Sequence, residues 1–263
     1  MRRIAFFLLA LSTWFGAEAY TVRNHATVAY IAQQHLSSRA RAKVCEIFHG
    51  QNLVDYASWP DFYRLTMLYA NKKQVAHLVM VGHDFKPVDT LPNKSAYNAI
   101  KYSADLLKNH YNELSDSARI TNLSIIVHLL GDIHCPSHYR FADRRDKKIK
   151  KLRYQTYPGK GKIQHIKYHS FWDAFSTDMI FCGGFLDVAS MLDTYSKKQI
   201  RQIQDGTLED WIYDNAVYMK DVFDVENDEL VDRSYVVDKA QVAKTMIRNG
   251  GYRLAKLLNC LFN

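Results

Sequence analysis

Apolar residues recur every three to four positions along most of this chain, the period of a helix that buries one face. From His25 to about Phe48, Ala, Val, Ile and Leu keep that spacing and predict one long helix. The same period predicts helices over roughly 62–82, 95–114, 117–133, 166–180, 184–193, 196–223 and 237–261. Ser115 and Asp116 stand ready to cap the apolar run that starts at Ile120, with Gly131 inside its continuation. No internal repeat is present, and no stretch alternates clearly enough to predict a sheet. The longest irregular piece, about 139–165, carries Pro158-Gly-Lys-Gly161 and reads as a surface loop or a small hairpin. The expected fold class is therefore all-α, in a single domain.

Composition agrees. With 263 residues, 48% hydrophobic and 24% charged, the chain has enough apolar surface for a sizeable core, which excludes disorder and collagen-like structure. Five Pro and eleven Gly leave few linkers. Thirty-five Lys+Arg against 27 Asp+Glu give +8, compatible with an anionic substrate without identifying one. Arg2-Arg3, the apolar run Ile4 to Leu11 and Ala17-Glu18-Ala19 follow the order of a signal peptide. Residues 1–19 are thus expected to be removed, leaving a mature domain, 20–263, secreted or periplasmic. No later apolar run is long enough for a stable membrane insertion. Export permits disulfides among Cys45, Cys135, Cys182 and Cys260; three pairings are possible, and no CxxC pair suggests a thiol zinc site. Asn93 and Asn122 begin glycosylation sequons, the second inside an apolar helix. The run from Lys147 to Arg153 reads as a solvated charged face or as a basic lip beside an anion cleft.

Two His-x-x-x-Asp pairs carry the chemistry: His128/Asp132 and His169/Asp173. Residues four apart share a helical face, so each pair presents an imidazole and a carboxylate to one point, the donors zinc accepts. A lone pair of this kind would more often be a structural hydrogen bond. His138 lies ten residues after His128, off that face, but Pro136 breaks the helix and can fold it back. Asp61 follows Ser58-Trp59-Pro60 at a helix start, and His25 stands five residues after the expected new N-terminus, Tyr20.

This constellation resembles the zinc-dependent, single-strand-specific nucleases of the S-one/P-one type (class I nucleases or 3′-nucleotidases), which share a helical fold with zinc-dependent phospholipase C. The matching stretches begin at His25, Ala57, Val127, His169 and Gly250, in the right order over nearly the whole mature chain. The resemblance implies a cleft holding three zinc ions. Asp61, His77, His128 and Asp132 would hold one; His138, His169 and Asp173 a second; His25, Asp132 and the amine and carbonyl of Tyr20 a third. Asp132 would then bridge two metals, and His83 is the nearby alternative to His77. It further implies metal-activated hydroxide attack on phosphorus, with Asp132 and Arg64 serving catalysis and Arg64 near the phosphate. The implied substrates are single-stranded DNA or RNA, cut to 5′-phosphorylated products, and 3′-nucleotides. A monomer is expected.

Several positions depart from the family pattern. Tyr20 stands where Trp is usual, Met80 where an acid would read the base edge, and Cys135 where Gln is usual. The Gly-Gly-Asn element between His138 and His169 is absent, and Lys167-Tyr168 replaces Asn-Leu. The metal core is therefore kept while the substrate shell is altered. That keeps open a phospholipase C-like or other phosphoesterase, although that branch has Glu where Asp173 stands. It also keeps open a weakly catalytic nucleic-acid-binding protein, with Tyr154, Tyr157 and Tyr168 as stacking candidates.

Overall fold

A computed structural model describes residues 21–63, 76–91, 94–143 and 149–263. Tyr20, Arg64, Asn93 and the expected signal peptide lie outside these residues. The all-α expectation holds: thirteen α-helical segments among the described residues surround one core, with only two small sheets beside it.

The long helix expected over 25–48 is two, α1 (Val22–Gln34) and α2 (Ser38–Ile47). Ser37 causes the break. Its hydroxyl accepts from the Ala40 N–H at 3.1 Å, and its own N–H donates to Asn259 Oδ1 at 2.8 Å. Capping chemistry outweighs an unbroken apolar period here. Two short helices follow, α3 (Leu53–Tyr56) and α4 (Trp59–Tyr63). The helix expected over 62–82 is not continuous: Val79–Val81 form a strand, β1, which runs parallel to β2 (Tyr139–Phe141) with Val79 opposite Tyr139. Val79 and Val81 are both buried, and branched side chains at alternate positions suit a pleat better than a helix.

Two central helices match the sequence closely, α5 (Ala96–Asn109) and α6 (Asp116–Asp132). Ser115 caps α6 as expected, accepting from the Ala118 N–H at 3.2 Å. Nearly every residue of α6 from Asn122 to Asp132 is buried, so its C-terminal half threads the core rather than lying on it. Asn122, spent on the Ala118 carbonyl at 2.8 Å, is not presented to solvent. Beyond the helix, Pro136–His138 make a tight 3-10 turn.

The irregular 139–165 stretch contains a hairpin. Strand β3 (Lys151–Tyr154) pairs antiparallel with β4 (Gln164–Lys167), and β5 (Leu230–Val231) adds a parallel third strand. The helix expected over 166–180 therefore begins only at Tyr168: α7 (Tyr168–Ser170), a π-helical turn (Phe171–Phe175) and α8 (Ser176–Asp178). The 196–223 segment also divides, after α9 (Phe185–Leu192), into α10 (Lys197–Ile203), α11 (Leu208–Ala216) and α12 (Met219–Val222). Gly206, at φ 84°, and the Thr207 cap end the first of these. The last helix, α13 (Arg233–Phe262), runs 30 residues.

Helix α13 packs along α1, and Gly251 sets their separation. A Cβ placed there would sit 2.6 Å from the Ile31 side chain and 3.2 Å from the Val28 carbonyl. All four cysteines are free thiols, so the disulfide expectation is not met: Cys135 is buried beside Ser137 and Asp173, while Cys45 on α2, Cys182 before α9 and Cys260 on α13 are exposed. No helix among the described residues is long and apolar enough to cross a membrane.

Gly251→Ala tests the α1–α13 contact. Alanine favours a helix by about 1 kcal/mol, but overpacking against Ile31 costs about 1–3 kcal/mol, so urea unfolding should show a net loss. Equal or higher stability would mean that the helices are not in close contact there.

Candidate metal centre

Asp132, the last residue of α6, is fully buried, and four imidazoles approach its two oxygens. Oδ2 faces His77 Nδ1 at 2.7 Å and His128 Nε2 at 3.4 Å. Oδ1 faces His138 Nδ1 at 3.3 Å and His25 Nε2 at 3.5 Å. One carboxylate thus divides a cluster into two halves. His128 comes from the same face of α6, one turn earlier. His25 comes from α1, its ring stacked on His128 with centroids 4.0 Å apart. Gly131 makes that stacking possible, because a Cβ there would lie 2.6 Å from His25 Nδ1. Asp61, on α4, closes the first half, with Oδ1 at 3.8 Å from His128 Nε2 and 3.9 Å from His77 Nε2.

The second half is built by the Pro136 turn and the π-helical turn. Pro136 ends the path of α6 and returns His138, which is buried, with Nε2 at 3.7 Å from Asp173 Oδ1. His169 Nε2 approaches Asp173 Oδ2 at 3.0 Å, and the ring is partly exposed, at the mouth of the site. The wide turn at Phe171–Phe175 carries Asp173. Its backbone carbonyl is held by Asn24 Nδ2 at 2.8 Å and by the Thr21 N–H at 3.3 Å, tying the start of α1 to the same point.

Hydrogen bonds to backbone carbonyls assign the tautomers. A carbonyl only accepts, so His128 donates Nδ1–H to Ala57 at 2.8 Å, and His138 donates Nδ1–H to Asp132 at 3.1 Å. Each ring then turns an Nε2 lone pair toward the carboxylates. This orientation is the usual support for a metal-binding histidine. Asp132 Oδ1 and His138 Nε2 are buried and take part in no hydrogen bond. Such atoms are costly unless a cation meets them. Imidazole nitrogens and carboxylate oxygens that converge in this way form the donor set zinc accepts, so the residues fit the metal.

Electrostatics point the same way. Burial raises the Asp132 carboxyl, yet His128, His138 and His77 outweigh it and hold the group well below the usual range, ionised. Burial lowers His128 to about 4 despite the opposing pull of Asp132, and it lowers His25 and His138 as well. Near neutral pH these rings are uncharged, with lone pairs ready for a metal.

The structure brings His25, Asp61, His77, His128, Asp132, His138, His169 and Asp173 together in one cluster. His77, not His83, joins the cluster; His83 is exposed and bonded to Asp143 at 2.9 Å. The substrate shell fares less well: Tyr154 and Tyr168 are buried core residues, leaving only Tyr157 exposed among the three stacking candidates. In the described part of the basic run, Lys151 Nζ pairs with Asp228 at 3.1 Å, and Arg153 donates to the Asp228 carbonyl at 2.9 Å. Those charges therefore serve the sheet first. Sequence reasoning missed the layer behind the cluster. His134 is buried, donates Nδ1–H to the Leu130 carbonyl at 2.8 Å and faces Arg253, which is bonded to Asp214 at 2.6 Å. His134 lies between two conspicuous motif residues with no spacing of its own to mark it.

The lowered pKa values set a pH dependence for metal-free protein. Burial, then Arg253, push His134 to about 3, and His128 sits at about 4. In unfolded chain both titrate near 6.5. Below that pH the unfolded state binds protons that the native state refuses, so stability falls from about pH 6.5 downward. Asp132, depressed when folded, adds a further loss once unfolded carboxyls protonate. Urea unfolding of chelated protein should show a lower midpoint at pH 5 than at pH 7.5; equal midpoints would contradict these environments.

Comparison with known proteins supports the same conclusion from a separate direction. The family model described as S1/P1 Nuclease matches residues 21–263. Nuclease P1 from Penicillium citrinum is 27% identical over 192 residues, covering 70% of this chain and 66% of its own length. Nuclease S1 from Aspergillus oryzae is 26% identical over 204 residues, covering 70% of this chain and 62% of its own length. The match thus spans about two thirds of these relatives. With the family model covering the described chain from its first residue to its last, this protein belongs to the S1/P1 nuclease family.

Proposed function

We propose that this chain is a zinc-dependent nuclease that hydrolyses single-stranded DNA or RNA to 5′-phosphorylated products and also removes phosphate from 3′-nucleotides. The observation that carries this reading is Asp132, whose two oxygens face different imidazoles inside a buried cluster. Asp61, His77, His128 and Asp132 would hold one ion, and His138, His169 and Asp173 a second. His25 and Asp132 would hold a third together with the Tyr20 amine and carbonyl. Thr21 bonded to Asp173 favours that last assignment, since the residue after Tyr20 is fixed at the cluster. Export with removal of residues 1–19 would free the amine, which makes processing part of site assembly. The active form is read as a monomer.

Bound zinc lowers the pKa of water and stabilises charge on phosphoryl oxygens. The chain does the rest. Asp132 fixes the spacing of the two halves, and the backbone carbonyls of Ala57 and Asp132 hold His128 and His138 in their binding tautomers. His169, at the mouth, leaves that half accessible to a phosphodiester. Arg64 is proposed to clamp the phosphate, a role suited to a guanidinium fork.

The test is cleavage of a single-stranded oligonucleotide by mature protein, chelated and then re-supplied with zinc. Zinc-restored 5′-phosphorylated products are expected, and Asp132→Ala should abolish turnover and lower zinc content. Cleavage at the wild-type rate by Asp132→Ala would remove Asp132 from the site. No cleavage by zinc-loaded wild type would sink the nuclease reading and move attention to phospholipid or other phosphoester substrates.

A further inference from the structure

Cys135 lies at the bottom of the second half-site, between Asp132 and His138, and the proposed function gives it nothing to do. It is fully buried, and its Sγ stands 3.4 Å from Asp173 Oδ1 and 3.3 Å from Ser137 Oγ. The donor atoms of Cys135, His138 and Asp173 all lie within 4.8 Å of one another. The neighbouring donor points the same way independently. His138 Nε2 is buried, makes no hydrogen bond and turns toward Asp173 Oδ1 at 3.7 Å. Zinc bonds of about 2.3 Å to sulfur and about 2.0 Å to nitrogen or oxygen, set at tetrahedral angles, place donors roughly 3.3–3.5 Å apart. The separations of 3.4 Å and 3.7 Å around Asp173 Oδ1 are close to those edges.

We propose that Cys135 is a thiolate ligand of the metal held at His138 and Asp173, which adds a sulfur to the nitrogen and oxygen donors of this half-site. This rests on the metal-centre reading above. Without a cation, the Cys135 thiol donates its S–H to Asp173 Oδ1. Metal entry replaces the S–H bond with a metal–sulfur bond and releases the proton to solvent. The two sides of the cluster then differ in kind. Around Asp61, His77 and His128 the donors are nitrogen and oxygen only, whereas the second half carries a soft sulfur. That half is expected to prefer thiophilic ions such as cadmium.

Cobalt substitution tests the thiolate without relying on turnover. The protein is stripped with chelator and titrated with Co2+, using a variant in which exposed Cys45, Cys182 and Cys260 are Ala. A near-ultraviolet thiolate-to-cobalt charge-transfer band should grow with binding and be absent from the same protein carrying Cys135→Ala. A cadmium-113 resonance at the position of a sulfur-containing donor set, recorded on wild type, gives the same answer if that variant fails to fold. Cobalt bound without the band, or a band that survives Cys135→Ala, would overturn the thiolate and leave the metal centre standing. Failure of wild type to bind cobalt at all would overturn both.

Discussion

A carboxylate buried at the end of a core helix is the constraint on which the rest depends. Asp132 has no exposure, and the groups around it are imidazoles rather than a fixed cation. Neutral imidazoles cannot neutralise a buried anion; they can only surround it. A buried charge left in that state costs several kcal/mol. The arrangement is therefore understandable as scaffolding for cations, with protein stability given up at the site for binding.

Much of the fold serves that one position. The C-terminal half of α6 runs through the core because its last residue must be central, and the carbonyl of Ile133 just beyond it is held by Tyr139 and Asn215, both at 2.7 Å. Helix α1 brings His25 against Gly131 and is itself seated on α13 through Gly251. Asn24 on the same helix fixes Asp173 across the site. Glycine at two close approaches thus converts helix packing into ligand geometry. His134 and Arg253 form a polar layer beneath, linking α13 to the turn that carries His138.

The site was legible where its residues shared a helical period or followed a breaker. His128 with Asp132 and His169 with Asp173 could be paired by spacing, and Pro136 explained how His138 returns. His77 could be chosen over His83 only in three dimensions, since nothing in the local sequence says that the first faces Asp132 and the second Asp143. Helix boundaries failed for physical reasons of the same sort. Ser37 divides an apolar period that looks continuous, and Val79 and Val81 find a strand partner, Tyr139–Phe141, about sixty residues away. A period read along the chain cannot see a partner so distant. Which of the tyrosines around the hairpin face solvent could not be read from the sequence, because Tyr154 and Tyr168 pack inward according to how the sheet seats against the helices.

Whether metal ions meet the two oxygens of Asp132 decides the matter. Anomalous diffraction at the zinc edge, from crystals of the mature protein grown with zinc, answers this directly. Peaks are expected on both sides of the carboxylate, one within bonding distance of His77 and His128 and another beside His25, with a further peak at His138 and Asp173. A map without such peaks, with the imidazoles simply hydrogen-bonded around Asp132, would contradict the metal centre.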